Sequence, residues 1–320
     1  MTQPSSSMSV PRGKWVGVPL GAIAIVAGAI LWSTGGVSVK WLQADAPHVS
    51  GLAVSSGRAI FTALFFLALA RGRIGMPRRG RGWFLAGVLT YAYVVTSFVL
   101  STRLTTAANA ILLQYTAPIW VMLVGWPLLG EKPSPRDGLA LFLGGIGVVL
   151  CCQEGLRLPG QGGSGFSRQA LGDLMGLSSG VAFGLFSVVL RFLRRDEGAG
   201  VRPATSLAIL FWGNALAALI GGPALVAAWA ESPLPAAAVG VLIWLGVGQL
   251  GLGYYLFQRG LRSVTALHAN MLSLIEPVLN PVWVAWAVHE IPSRGTLLGG
   301  AFVLGAMVLS ALPGRSRRPR

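Results

Sequence analysis

Residues 107–134, AANAILLQYTAPIWVMLVGWPLLGEKPS, and residues 266–293, ALHANMLSLIEPVLNPVWVAWAVHEIPS, read as two copies of one segment. A shift of 159 residues lays Ala107 on Ala266, Ala110 on Ala269, Leu113 on Leu272, Pro118 on Pro277, Glu131 on Glu290, Pro133 on Pro292 and Ser134 on Ser293 without a gap. Shared apolar composition aligns alanines and leucines, but not a proline within an apolar run or a Glu-x-Pro-Ser turn. A sparser alignment at an offset of 151 places Trp32 on Phe183, Lys40 on Arg191 and Leu42 on Leu193. The chain therefore reads as two copies of one unit.

The medium in which that unit folds follows from composition. Of 320 residues, 53% are apolar and 11% are charged, where a soluble domain carries roughly 25% charge. Apolar runs long enough for the ~20 residues of a hydrocarbon span recur along the chain. They predict helices over Val16–Lys40, Ser50–Ala70, Trp83–Ser101, Ala107–Leu129 and Gly138–Cys152, then Gly172–Leu190, Ala204–Trp229, Ala236–Phe257, Ala266–Val288 and Gly295–Leu312. The expected organisation is a tail over 1–15, a five-helix repeat over 16–152, a Gly/Ser/Pro-rich linker over 153–169, a second repeat over 170–312 and a basic tail over 313–320.

Charge tests the helix count independently, because cytoplasmic loops of membrane proteins hold the Lys/Arg excess. With ten spans and both termini inside, nineteen Lys and Arg residues fall in cytoplasmic segments. Five fall outside, namely Lys40, Arg103, Arg157, Arg168 and Arg294, and Arg58 lies within a span. An odd helix count would break this segregation. Arg12 and Lys14 before the first run resemble the start of a signal peptide, but the run is too long and lacks a cleavage pattern, so a retained helix is expected.

Five is odd, so the second repeat enters the membrane from the opposite side to the first. Inverted repeats recur in secondary transporters, where the substrate site lies near the midplane between the repeats. Duplication also occurs in proteins that transport nothing.

The motifs carry a resemblance. Ala117–Pro118 leading to Leu-Gly-Glu-Lys-Pro-Ser at 129–134, and Ile-Glu-Pro at 275–277 leading to His-Glu-Ile-Pro-Ser at 289–293, resemble the paired signatures of the EamA-type transporters of the drug/metabolite transporter superfamily. The likeness extends over about residues 18–312. It implies a ten-helix carrier of metabolites, amino acids or drugs, often directed outward and driven by an ion gradient. His289 stands where the first repeat has Gly130, and Trp286 where it has Pro127, so the two halves need not gate alike.

An ionisable side chain at the bilayer centre survives mainly where it faces the bundle interior or a water-filled cavity. Glu276, midway through the ninth span and read as the only acid inside one, is the foremost candidate for a substrate-amine contact or a proton carrier. Its alternative is a structural carboxylate. Pro118 and Pro277 lack the backbone donor and free carbonyls that can line a cavity. Arg58 suits a substrate carboxylate or Glu276 itself, since its guanidinium is a planar fork of donors; the alternative is a side chain snorkelling to the outer leaflet. His268, two residues before Asn270, can pass protons, but the favoured reading is a packing histidine held by a hydrogen bond. Trp32, Tyr115, Trp120 and Tyr255 are candidate cavity walls or interfacial aromatics. Gln114, Asn109, Gln249 and Asn280 offer polar contacts or interhelical hydrogen bonds. Glu131 and Glu290 are expected to fix a turn and the next helix start, with gating as the lesser role. Gly144, Gly145, Gly147, Gly299, Gly300 and Gly305 suit close helix packing or a homodimer contact.

The formal charge of +15 is spread over connectors rather than gathered on one face with aromatics, which argues against nucleic acid as a partner. Cys151 and Cys152 form neither a disulfide framework nor a metal-ligand spacing, and no cofactor or metal is expected. An intramembrane enzyme needs a catalytic set that the spans lack, and a channel needs a charge ring or carbonyl filter. The expectation is an all-α inner-membrane carrier of a small molecule, an exporter or exchanger coupled to protons, with a non-transporting accessory or sensor subunit as the alternative.

Overall fold

The computed structural model describes residues 20–129, 135–153, 167–197, 203–261, 263–264 and 266–311. The expected tails, residues 154–166 of the expected linker, and Glu131, Pro133 and Ser134 lie outside the described residues. Among the described residues, nine helical segments are long and apolar enough to cross a membrane, and Arg294–Ser310 is a shorter apolar helix.

The first repeat comprises α1 (Leu20–Asp45), α2 (Gly51–Leu69), α3 (Arg81–Leu104), α4 (Ala107–Gln114), α5 (Ala117–Leu129) and α6 (Pro135–Cys152). The second comprises α7 (Arg168–Glu197), α8 (Pro203–Glu231), α9 (Ala236–Ile243), a π-helical stretch over Trp244–Leu252, α10 (Gly253–Gly260), α11 (Ala266–Ser273), α12 (Ile275–Val288) and α13 (Arg294–Ala311). Helix starts are set by local chemistry. Ser50 Oγ accepts from Ala53 N at 3.2 Å, Thr106 Oγ1 from Asn109 N at 3.1 Å and Ser167 Oγ from Ala170 N at 3.0 Å, each satisfying a donor that the first helical turn leaves open. Pro135 begins α6 at the first helical position, where a missing N–H costs nothing; this lengthens a span that begins at Gly138 when read from hydropathy alone. Likewise α1 runs past Lys40 to Asp45 and α3 past Ser101 to Leu104, because Lys40 and Arg103 find partners and need no loop.

Two spans are broken in equivalent places. The fourth breaks between Gln114 and Ala117, and the ninth between Ser273 and Ile275. Each proline stands in the first turn of the following half-helix, where it can neither donate to the residue four back nor accommodate that carbonyl. For Pro118 that carbonyl belongs to Gln114, and for Pro277 to Ser273. Gly180 of α7 lies against the first break, where a Cβ would stand 2.6 Å from the Leu113 carbonyl and 3.2 Å from that of Gln114.

The repeats interlock as a pseudo-twofold arrangement. α1 packs against α10 and α12 of the second repeat, and its counterpart α7 packs against α3, α4 and α5 of the first. α2 packs on α8, and α6 on α13, pairing equivalent helices. This exchange of partners is what an inverted duplication requires. Along the α1–α12 seam the Trp283 indole donates to Ser33 Oγ at 2.9 Å, and Asn280 lies fully buried against Gly36.

Gly144, Gly147, Gly299 and Gly300 are used inside the chain. A Cβ on Gly147 would lie 2.7 Å from the Gly299 carbonyl oxygen, while one on Gly145 would meet nothing within 4 Å. Gly147→Leu is therefore expected to destabilise the detergent-solubilised protein by about 1–3 kcal/mol, the cost of overpacking. Gly145→Leu should leave its melting temperature unchanged. Equal losses in both variants would mean that α6 and α13 are not packed as described.

Candidate functional site

The breaks meet. Pro277 leaves the Ser273 carbonyl without its helical donor, and Tyr115, at the break in the other repeat, supplies one: its hydroxyl lies 3.1 Å from Ser273 O and 2.6 Å from Glu276 Oε2. One tyrosine thus ties the first repeat to the freed carbonyl and to the carboxylate of the second. No cation is paired with Glu276 among the described residues.

Around this junction lies a cavity of about 900 Å³. Trp32, Arg58, Gln114, Tyr115, Pro118, Gln249, Asn270 and Glu276 line it, so eight of the residues singled out in the sequence converge from α1, α2 and the fourth, eighth and ninth spans. One wall is aromatic. The Trp32 ring lies over Gly253, where a Cβ would come within 2.5 Å of its Nε1, with the rings of Tyr254 and Phe257 at 5.0 and 5.1 Å. Phe183 and Phe186 of α7 complete the lining.

Arg58 does not snorkel. Its side chain is 1% exposed and turned into the bundle, where Nη2 donates to the Val95 carbonyl of α3 and Nε has no protein partner. Tyr91 and Tyr254 lie beside it, and Tyr254 is within electrostatic reach of Glu276 as well. Arg58 and Glu276 therefore face one cavity without forming an ion pair. Two more buried polar atoms here lack protein partners: Trp32 Nε1 and Gln249 Oε1. The amide nitrogen of Gln249 is engaged, donating to the Trp32 carbonyl at 3.2 Å.

The cavity is open at one end of the bundle. Its lining reaches Asp137 near the start of α6, Arg191 in α7, Leu261 beyond α10 and Ser310 near the end of α13. At the opposite end it stops at Val94, Val95 and Phe98 in the middle of α3.

Asn109 and Asn280 lie outside the lining, as do Trp120, Tyr255, His268 and Pro277. The Trp120 indole donates to Thr116 Oγ1 at 3.1 Å, and its Cβ packs at Gly184 of α7. The Tyr255 hydroxyl is engaged by Arg259 at 3.1 Å on an exposed face, and its neighbour Tyr254 faces the cavity instead. His268 is exposed at the start of α11, and Pro277 is buried behind the break that it causes. Periodicity at 3.6 residues per turn misses Tyr254 because the chain reaches it through π-helical turns, whose i→i+5 bonding re-aims the side chains that follow. The glycines of residues 246–253 were the available signal. Tyr91 gave none, since its near neighbour Tyr93 is 46% exposed and bonds Ser178. The reading of Glu276 as the only acid inside a span also needs correction. Asp173, 2% exposed in α7, accepts from Thr105 Oγ1 at 2.6 Å and from Asn109 Nδ2 at 3.0 Å.

Comparison with known proteins agrees with this architecture. The EamA-like transporter family matches residues 19–152 and again 170–312. An uncharacterized transporter of Archaeoglobus fulgidus is 27% identical, covering 91% of this chain and 96% of that one. The aromatic amino acid exporter YddG of Ancylobacter novellus is 25% identical, covering 89% and 95%. The pseudopaline exporter CntI of Pseudomonas aeruginosa is 25% identical, covering 90% and 94%. One crystal structure shares the fold at a TM-score of 0.56 and 21% identity, covering 90% of this chain and 95% of that one. A duplicated five-helix unit, broken at matching prolines and matched twice by one family, makes this chain a membrane transporter of the EamA-like transporter family.

Proposed function

We propose that the protein is a secondary-active carrier that exports or exchanges a small zwitterion with an apolar body, an amino acid or a derivative of one, in exchange for protons by alternating access. The observation that carries this reading is charge without counter-charge. Arg58 and Glu276 face the same cavity, and neither is paired with an opposite charge among the described residues. Burying an uncompensated ion costs several kcal/mol. A ligand with an anionic and a cationic group offsets both costs at once, and the aromatic wall suits its apolar part.

The same geometry supplies an exchange step. Glu276 can hold a substrate amine or a proton but not both, so protonation from one side expels what was bound from the other. The Lys/Arg excess supports an orientation with both termini and the cavity mouth on the cytoplasmic face of the inner membrane. Such a state loads from inside, as an exporter must. Two of the relatives above are named exporters.

The test uses purified protein in liposomes with an internal pH dye, challenged separately with L-phenylalanine, putrescine and lactate. Proton movement with L-phenylalanine alone is the expected result. A response to putrescine or lactate but not L-phenylalanine would overturn the substrate class. Silence with all three, together with absent tracer counterflow, would overturn the carrier reading for these solutes.

A further inference from the structure

The end of the bundle opposite the cavity mouth is tied shut by polar contacts that the site does not use. Lys40, in the last turns of α1, places Nζ 2.6 Å from Glu290 Oε2 and donates to the Thr105 carbonyl at 2.7 Å. The other carboxylate oxygen of Glu290 accepts from Ala107 N at 2.7 Å. Glu290 therefore does not fix its own following helix, the role that the sequence suggested. Ser293 does that, accepting from Thr296 N at 3.1 Å, and Glu290 caps α4 of the other repeat, where a helix N-terminus favours an anion.

Two tiers of contacts close this end. In the inner tier Asp173 holds Thr105 and Asn109, Asn109 donates to the Cys151 carbonyl at 2.8 Å, and Thr296 Oγ1 donates to Asn109 Oδ1 at 2.7 Å. Its members Asp173, Asn109 and Thr296 are each at most 2% exposed. In the outer tier the side chains of Lys40 and Glu290 are 12% and 25% exposed. Partly hydrated ions regain water as they separate and so part at smaller cost than fully buried groups, whereas the buried tier resists opening because each broken bond strands a polar group. The outer pair is the reversible element.

We propose that the Lys40–Glu290 pair, seated on the α3–α4 corner, is the latch that holds this end closed while the cavity is open at the other, and that α12 is the lever joining it to the site. Glu276 stands in the first turn of α12 and Glu290 two residues beyond its end. Fourteen helical residues span roughly 21 Å and carry Pro281 midway, a point at which a helix bends, so a shift of Glu276 toward a bound group reaches the far end as a tilt or bend of α12. The proposal rests on the carrier reading for its transport arm only.

The experiment uses the full chain with Cys151 and Cys152 replaced by Ala. With Met307→Cys added as a reporter in the cavity lining, Lys40→Met and Glu290→Gln are each expected to slow labelling from the mouth side by about fivefold to tenfold, the loss of one ion pair and one charge-assisted hydrogen bond. The double variant should label no slower than the slower single variant, since the two groups act through each other. Separately, Lys40→Cys with Glu290→Cys, bridged by a short reducible bis-thiol reagent, should lose more than about 90% of L-phenylalanine counterflow and recover it on reduction. Unchanged labelling in both single variants, or full counterflow while bridged, would remove the latch. Absent counterflow even in the unbridged protein would count against the carrier reading, and labelling would still decide the latch.

Discussion

Glu276→Gln is expected to abolish solute-dependent proton movement while leaving the protein inserted and folded. The amide keeps the shape of the carboxylate and its carbonyl oxygen can still accept from Tyr115, whose hydroxyl also reaches the Ser273 carbonyl. The junction between the two breaks is therefore preserved. What disappears is the negative charge, and with it the competition between proton and amine for one oxygen pair. Affinity for a zwitterion should fall by ~2–5 kcal/mol, the usual cost of removing one partner of a buried charge pair. A pH gradient should no longer drive L-phenylalanine in either direction. The decisive readout is the pH-dye signal set against tracer counterflow in the same liposomes. Full pH-driven flux in the variant would take Glu276 out of the mechanism. Tyr115→Phe makes the complementary comparison. It leaves the charge and removes the tie between the repeats, so coupling should persist at a reduced rate.

The fold was largely legible because the constraints that shape it act on composition and spacing. A span must be apolar over its length, a proline must disturb the residue four before it, and an odd helix count must invert the second copy. These rules predicted ten spans and the matched breaks at Pro118 and Pro277 without any contact being known. Helix ends were less legible, since Lys40 and Arg103 read as loop cations until their acceptors are seen on Glu290, Thr105 and Val49. Within the site, Glu276, Arg58 and Tyr115 stood out by chemistry or repeat position. Tyr254 and Tyr91 did not, because which face a tyrosine presents depends on helix phase, and the π-helical stretch resets that phase between Trp244 and Leu252. Glu290 was legible as a repeated residue but not in its role: its partners lie on α1 and at the α3–α4 corner, far away in sequence.

Arg58→Met is the second large effect expected, and its two readouts move in opposite directions. In the absence of solute, a guanidinium at 1% exposure with Nε unpartnered is a burden on the fold. An apolar chain of similar length removes that desolvation cost at the price of one donor to the Val95 carbonyl. Replacing buried ions by apolar groups is often neutral or stabilising by ~1–4 kcal/mol, so the melting temperature of the solute-free protein should hold or rise. Transport should collapse. Among the described residues Arg191, at the cavity mouth, is the other cation in the lining, so without Arg58 the inner part of the cavity has no cation to neutralise a substrate anion, and the apparent affinity for L-phenylalanine should weaken by about 100-fold, near 3 kcal/mol. The thermal shift produced by saturating solute should vanish with it. Arg58→Lys separates charge from shape. A point charge on a flexible stem cannot offer the planar fork, so it should restore only part of the affinity. A melting temperature that falls by several degrees in Arg58→Met while the solute-induced shift survives would make Arg58 a structural brace, leaving the aromatic wall and Glu276 to define the substrate on their own.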